Sequence, residues 1–321
     1  MVTQARLLAL DWGTSVLRAY LLGDGGVVLE ERRERWGIMN LPEGGFVGAL
    51  QGIAGDWRVA APDLSVIACG MVGSAQGLRE APYTPCPAGE DALASGLLAV
   101  EVAPGFRLHI VPGVKRDGER PDVMRGEETQ VVGVLARAPE LAANALLVMP
   151  GTHSKWVQVE DGRIVDFHTY MTGELFALLS EHSILGRPAR SAPASDGPPA
   201  NEAFERGVTS IRDQLETSAT AMLFSARALV LTGRLRAKDS LEYLSGLFVG
   251  EELRSGFAAG VRTQSHSASG EALTLVGDAS LCARYRRAMA VFGLDEAPLI
   301  EDAASAGLWQ IARRAGLCVG A

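Results

Sequence analysis

The sequence predicts a two-domain α/β protein in which each half is led by an antiparallel hairpin. A repeated device is the first of two observations behind that expectation. Leu7-Leu8-Ala9-Leu10-Asp11-Trp12-Gly13-Thr14-Ser15, then Arg18-Ala19-Tyr20-Leu21-Leu22 and Gly23-Asp24-Gly25-Gly26, reads as strand, tight Gly-Thr turn, strand and hairpin turn, with Val27-Val28-Leu29 as a third strand. Ala145-Leu146-Leu147-Val148-Met149-Pro150-Gly151-Thr152-His153 leads in the same order into Trp156-Val157-Gln158-Val159, the turn Glu160-Asp161-Gly162, and Ile164-Val165-Asp166-Phe167. A Gly-Thr turn at a strand end exposes backbone N–H groups and a hydroxyl. Two such turns facing each other across a cleft can therefore hold a polyphosphate. One copy alone is an ordinary α/β turn, and it is the pairing that points to an internal duplication.

The second observation is the alternation of strand and helix between and after the hairpins. Phe46, Val47, Leu50 and Ile53 follow a helical period, and Leu64-Ser65-Val66-Ile67-Ala68-Cys69 reads as a buried strand ending in Gly70-Met71-Val72-Gly73-Ser74. Arg107 to Val111 reads as a strand closing at Pro112-Gly113. From Gly126, Glu127 to Leu135 reads as a helix with acids at its start, where the helix dipole favours them. Helices are expected over Leu175 to Leu185, Ala203 to Leu223, Arg227 to Arg236 and Ser240 to Arg254, with 187–199 as a surface excursion rich in Pro and Ser. Ala272 to Ser280 reads as strand, glycine turn and helix start, followed by helices from Leu281 to Phe292 and from Ala303 to Ala315. Parallel strands need such helical crossovers. The expected domains are 1–140 and 141–302, with the last helix, 303–321, free to pack back on the first.

Composition narrows the function classes. The chain has 321 residues, 47% hydrophobic and 21% charged, which suits two folded cores and excludes large-scale disorder. A net charge of −8 with no basic stripe argues against nucleic acid as a partner. Cys69, Cys86, Cys282 and Cys318 show no Cys-x-x-Cys spacing and form no legible cluster with the five histidines, so no zinc site is read and reduced, mostly buried thiols are expected. The N-terminus has no basic region before a cleavable apolar run, and Leu7 to Leu10 is too short to cross a bilayer; a cytoplasmic protein is expected, with no membrane partner.

Repeated hairpin-first halves with phosphate turns on one cleft resemble the sugar kinase, actin and heat-shock ATPase superfamily, whose domains are ribonuclease H-like. Asp11-x-Gly13-Thr14-x-x-x-Arg18 looks like its first phosphate motif, Pro150-Gly151-Thr152 like its second, and Val276-Gly277-Asp278-Ala279-Ser280 like its adenosine loop. Five ordered segments narrow the resemblance: Gly70 to Ser74, Met124 to Gln130, Met149 to Val157, Met171-Thr172-Gly173-Glu174 and Leu281 to Tyr285 are together similar to the 2-dehydro-3-deoxygalactonokinase family, nearly end to end. The resemblance implies ATP-dependent phosphorylation, with Mg²⁺, of the 6-hydroxyl of a 2-keto-3-deoxy sugar acid in galactonate breakdown. The alternatives are a kinase of another acceptor, such as 2-dehydro-3-deoxygluconate or an amino sugar, and an ATP-driven binding switch without a small acceptor.

Phosphoryl transfer needs a metal, charge neutralisation and a base, and separate residues suit each part. Asp11 is placed to hold Mg²⁺, which keeps several waters and needs only one or two carboxylates; a turn-capping Asp is the plain alternative. Gly13, Thr14 and Ser15 offer donors to phosphate, and Arg18 can fork onto its oxygens or simply be a solvated strand residue. In the second copy Gly151 and Thr152 correspond. Lys155 sits one position short of the Arg18 spacing and so can face the other way, and His153 suits a hydrogen bond to phosphate better than proton removal.

In related sugar kinases an acid begins the helix before the second phosphate hairpin. That makes Glu127 the first choice of base and Glu128 its rival, although those relatives generally use Asp and either acid can be an ordinary cap. A sugar acid carries a carboxylate, and Arg125 is the first choice to bind it. Met71, Gly73 and Ser74 would shape the pocket floor and Asn40 would close it, while Thr172 and Glu174 suit either substrate or helix capping. Adenine is expected near Gly277, Asp278 and Ser280, with the helix from Ser245 to Glu251 as the opposite wall. Oligomeric order, a homodimer included, is left open.

Overall fold

The computed structural model describes residues 4–193, 201–214, 217–258 and 272–318. Positions 194–199 of the Pro-rich excursion lie outside the described residues. Contacts between Cα atoms divide the chain into two compact units, one of Met1–Leu147, Val157–Phe167 and Ile300–Ala321, the other of Val148–Trp156 and His168–Leu299.

In the first part of the chain run β1 (Leu7–Trp12), β2 (Leu17–Leu22), β3 (Val28–Glu34), α1 (Gly45–Ala60), β4 (Val66–Gly70), β5 (Tyr83–Pro85), α2 (Glu90–Ser95), β6 (Leu98–Ala103), β7 (Phe106–Ile110), β8 (Gly113–Arg116), β9 (Asp122–Met124) and α3 (Glu127–Arg137). Six strands form a mixed sheet in the order β3-β2-β1-β4-β7-β6, and three short ones form a second, β5-β8-β9. β1 is antiparallel to β2 and parallel to β4. Its Leu7, Leu8, Ala9, Leu10 and Trp12 are wholly buried, as a strand covered on both faces requires. Leu50, Ile53 and Trp57 of α1 belong to the same core cluster.

The chain continues through β10 (Asn144–Met149), β11 (Ser154–Glu160), β12 (Arg163–Tyr170), α4 (Thr172–His182), α5 (Arg187–Arg190), α6 (Asn201–Asp213), α7 (Ala219–Leu223), α8 (Ser225–Leu231), α9 (Ser240–Ala258), β13 (Ala272–Val276), α10 (Ala279–Val291), β14 (Leu299–Ile300) and α11 (Ala303–Arg314). A sheet in the order β12-β11-β10-β13-β14 matches β3-β2-β1-β4-β7 strand for strand. The duplication expected from the two hairpins is therefore present in the topology.

Several elements differ from the sequence reading. β3 runs on through Glu30, Glu31, Arg32, Arg33 and Glu34, because an edge strand can carry charges on both faces that hide its period and discourage further pairing. The helix expected over 203–223 is two helices, α6 and α7. α8 stops at Leu231, where Gly233 takes a positive φ of 70° and the N–H groups of Arg234 and Leu235 return to the Leu229 carbonyl. β5, β6, β8 and β9 were not anticipated. Among the described residues no helix is long and apolar enough to cross a membrane.

α11 packs on α3 and β1 within the first unit. The α3–α11 crossing is close enough that a Cβ on Gly133 would lie 1.9 Å from the Ala303 carbonyl oxygen, and one on Gly307 1.8 Å from that of Thr129. Neither backbone can yield without separating the helices. Gly307→Ala is therefore expected to destabilise the protein towards the upper end of the range of about 1–3 kcal/mol for overpacked cores. A fall in urea midpoint at unchanged slope would register it, and an unshifted midpoint would contradict the close packing.

Candidate functional site

The end of β1 gathers charge. Residues directly opposite on neighbouring strands share a face, and Asp11 lies opposite Arg18 of β2 and Cys69 of β4. Arg18 Nη1 stands 4.0 Å from Asp11 Oδ2 and 3.5 Å from Asp302 Oδ1, and the Cys69 thiol approaches Asp11 Oδ1 at 3.9 Å. Burial pushes the Asp11 carboxyl up from the usual range; Arg18 pulls it back and the charge of Glu127 pushes it further up. Asp302 sits just before α11 with φ of 48°, its carbonyl accepting from Arg137 Nη2 at 2.8 Å.

The adjoining turn is open. The Gly13 N–H donates to the Val16 carbonyl, and the side chains of Thr14 and Ser15 are exposed. The Ile38 and Met39 N–H groups donate to the carbonyls of Gly13 and Thr14, bracing the turn from one side. Asn40, exposed, follows directly and donates its N–H to Gly37.

β4 delivers Gly70 against Gly126, where a Cβ would meet the Gly70 Cα at 3.2 Å, and Gly126 itself takes a φ of 111° suited to glycine. α3 starts there. Glu127 Oε2 accepts the Arg125 N–H at 3.1 Å, and Glu128 Oε2 accepts the Gly126 N–H at 2.6 Å, so both acids fold back onto the backbone just before the helix. Their surroundings differ. Glu128 is fully buried, also accepts from Thr129 Oγ1 at 2.9 Å, and is pushed up to about 8 by burial and by the neighbouring Glu127 charge. Glu127 is only half-buried.

Arg125 is 9% exposed. Its Nη2 donates to the Ala81 carbonyl at 2.8 Å and its guanidinium lies 4.3 Å over the Tyr83 ring. Its Nε and Nη1, and the Oγ of buried Ser74, have no partner among the described residues. Gly73 lies against it, since a Cβ there would be 3.1 Å from Arg125 Nη1, and Met71 is half-buried at the start of the same turn. The structure thus brings Arg125 to Gly73 and Ser74, next to α3.

In the second unit the Gly151-Thr152-His153 turn is tied to α4. The Glu174 N–H donates to the Thr152 carbonyl at 3.0 Å, the Glu174 carboxylate pairs with His153 Nε2, and a Cβ on Gly173 would strike the Gly151 carbonyl. Thr172 does not cap α4; its side chain bonds to Glu252. Lys155 is buried and its Nζ donates back to the His153 carbonyl at 3.3 Å, while its neighbours Ser154 and Trp156 reach Tyr285 and Glu252. The opposite-face argument for Lys155 is what this alternation displays. Gly277, with φ of 134°, lies near the Pro150 carbonyl; Asp278 caps α10 by accepting from the Leu281 N–H at 3.0 Å and from Ser280 Oγ at 2.5 Å.

Sequence reasoning missed Cys69, Asp302, Glu252 and Tyr285 as neighbours of these turns. Asp302 and Cys69 carry no signal of their own. Glu252 stands beside Glu251 and two residues before Arg254, so its inward position carries no signal of its own.

The chain matches the family model described as 2-keto-3-deoxy-galactonokinase over residues 11–311. It is 39% identical to a protein of Rhizobium meliloti named as a probable 2-dehydro-3-deoxygalactonokinase, over 98% of each chain, and 37% identical to the 2-dehydro-3-deoxygalactonokinase of Escherichia coli, over 96% of this chain and 98% of that one. A crystal structure from Sinorhizobium meliloti, provisionally assigned the same activity, superposes with a TM-score of 0.81 at 37% identity, covering 96% of this chain and 98% of its own.

The state of Glu128 has a measurable consequence. Folded, the acid keeps its proton up to about pH 8, whereas an ordinary Glu loses it near 4.5. Between those values the native state binds more protons than the unfolded one, so stability falls as pH rises from about 4.5 and levels off above about 8. Glu128→Gln has no proton to lose and should flatten that slope by up to about 1.4 kcal/mol per pH unit. Urea unfolding across the window measures it, and an identical slope in both proteins would place the titration elsewhere.

Proposed function

The chain belongs to the 2-keto-3-deoxy-galactonokinase family, and we propose that the reaction runs at the end of β1, on the 6-hydroxyl of the sugar acid. Membership makes the protein an ATP-dependent kinase of 2-dehydro-3-deoxygalactonate in galactonate breakdown, and sets aside a binding switch without an acceptor. One observation carries the placement: the half-buried Asp11 has Arg18 on its own sheet face and Glu127 within reach of its charge.

Asp11 suits Mg²⁺. Among the described residues no group of three or more His, Cys, Asp or Glu is arranged to hold a metal unaided, and Mg²⁺ characteristically takes one or two carboxylates and completes its shell with water and phosphate oxygens. When bound, the ion neutralises charge on the β- and γ-phosphoryl oxygens. Arg18 is the residue to add a second positive charge there, swinging from Asp302 and Asp11 onto phosphate, with the Gly13, Thr14 and Ser15 turn giving donors. Glu127 takes the proton of the 6-hydroxyl as its oxygen bonds to the γ-phosphorus and the bond to ADP breaks. The half-buried position of Glu127 supports that role over Glu128, which is sealed and holds its own proton at neutral pH.

Arg125 reads the substrate carboxylate. Among the described residues this cation, nine-tenths buried, has its guanidinium on a neutral carbonyl and a ring face, and a sugar acid would supply the counter-charge that burial calls for. Ser74 Oγ is a second donor beside it, on the floor formed with Met71 and Gly73, and Asn40 closes over the first turn. In the second unit Gly151 and Thr152 meet phosphate and Gly277 admits adenine, with Ser280 at its edge. Asp278 serves mainly as the cap that holds that loop. His153, paired with Glu174, and Lys155, folded back on the turn, support phosphate binding rather than proton transfer.

Glu127→Gln should lower kcat by about 10²–10⁴-fold, the usual worth of a general base, while ATP binding measured by calorimetry persists. Undiminished kcat would move the base elsewhere. Arg125→Met should raise KM for the sugar acid by about 30-fold or more, as when one partner of a buried charge pair is lost, without moving KM for ATP. ADP release across a panel of keto-deoxy sugar acids tests the acceptor, and a preference for the gluconate epimer would overturn that choice.

A further inference from the structure

Among the buried carboxylates that the mechanism above does not use is Glu252. Glu252 of α9 is 1% exposed, yet it is surrounded by donors from three other elements. Trp156 Nε1 of β11 donates to its Oε1 at 2.9 Å, Tyr285 of α10 donates to its Oε2 at 2.6 Å, and Thr172 at the start of α4 also bonds to it. Burial pushes its carboxyl up and these hydrogen bonds pull it down.

The bonds continue toward the second Gly-Thr turn. Tyr285 OH lies 3.1 Å from Ser154 Oγ, and Ser154 Oγ accepts the Gly151 N–H at 3.3 Å. Read as donors and acceptors, the Gly151 amide gives to Ser154, Ser154 to Tyr285 and Tyr285 to the carboxylate. An acceptor-only carboxylate at the far end favours this direction, and Ser154 also bonds to it directly, while Ser154 Oγ lies 3.4 Å from the Gly151 carbonyl. Trp156 is held as firmly: Gly256 passes so close that a Cβ there would lie 2.6 Å from its ring, and Phe257 and Tyr170 meet it edge-on at 5.2 and 6.1 Å.

We infer that Glu252 is a positioning residue for nucleotide phosphate: through Tyr285 and Ser154 it turns the Gly151 N–H inward, leaving the amides of Thr152 and His153 as the donors offered to phosphate. The inference rests on the reading of that turn as a phosphate contact. Helix-end packing alone would need none of this polarity, since an apolar residue at 252 would fill the space between α9, α10 and β11 at lower desolvation cost.

Tyr285→Phe and Ser154→Ala each remove one link without leaving a bare charge of their own. Each should raise KM for ATP by about 5-fold to about 30-fold, the worth of a hydrogen bond of about 1–2 kcal/mol, with KM for the sugar acid unmoved. The double variant should do little more than either alone, because both act through one relay. Glu252→Gln, which keeps the volume but not the acceptor capacity, should show the same KM split. Thr152→Pro, which removes one of those two amides at an exposed position, serves as the control for phosphate contact. If it raises KM for ATP while the relay variants do not, or if the relay effects simply add, the positioning role is overturned. If Thr152→Pro also leaves KM for ATP unchanged, the phosphate reading of the turn fails first and the inference falls with it.

Discussion

The register of β1 is the constraint on which the proposed chemistry depends. With β2 on one side and β4 on the other, every residue of β1 but Asp11 is fully buried, so the strand can carry a charge only where it leaves the core. The pairing sets what that charge meets: Arg18 from the antiparallel neighbour, Cys69 from the parallel one. A slip of one residue would turn Asp11 to the opposite face and bring an apolar side chain into its place. The hydrophobic alternation that holds the sheet together therefore also aims the carboxylate.

The charges around that strand end are arranged not to cancel. Arg18 stands at 4.0 Å from Asp11 and is shared with Asp302, a looser geometry than a hydrogen-bonded fork. Burial raises the cost of the Asp11 charge, Arg18 offsets part of it, and Glu127 adds to it. A site left with net negative character at a half-buried position attracts a cation, and a guanidinium that bonds to Tyr20 while standing off both carboxylates can exchange a carboxylate for a phosphate. Tight pairing would have stabilised the empty protein and made the exchange harder. Arg125 presents the opposite imbalance, a buried guanidinium held, among the described residues, by a neutral carbonyl and a ring face.

How much of this was legible in the sequence followed from how local the determining contacts are. The two hairpins, α1, β4, α3 and α11 announce themselves because burial of one face imposes a period on consecutive residues. The positions of Asp11, Glu127 and Arg125 were legible because each sits at or beside the end of such an element. β5, β8 and β9 were not, since strands of three or four residues have too few positions to display alternation and are held by one another. β3 hid behind Glu30 to Glu34, whose charges suit an edge. Glu252 was hidden for another reason. Its partners Trp156, Thr172 and Tyr285 are far away in sequence, and in Glu251-Glu252 only the second acid turns inward.

The two Gly-Thr turns share a place in the repeat but not a means of support. Gly13 to Ser15 is braced by backbone bonds from Ile38 and Met39, which leave the side chains of Thr14 and Ser15 in solvent. Gly151 to His153 is gripped by side chains: Ser154 and, behind it, Tyr285 and Glu252 from beneath, with Glu174 from α4 on His153. Backbone bracing is indifferent to most substitutions, whereas a side-chain relay depends on each member.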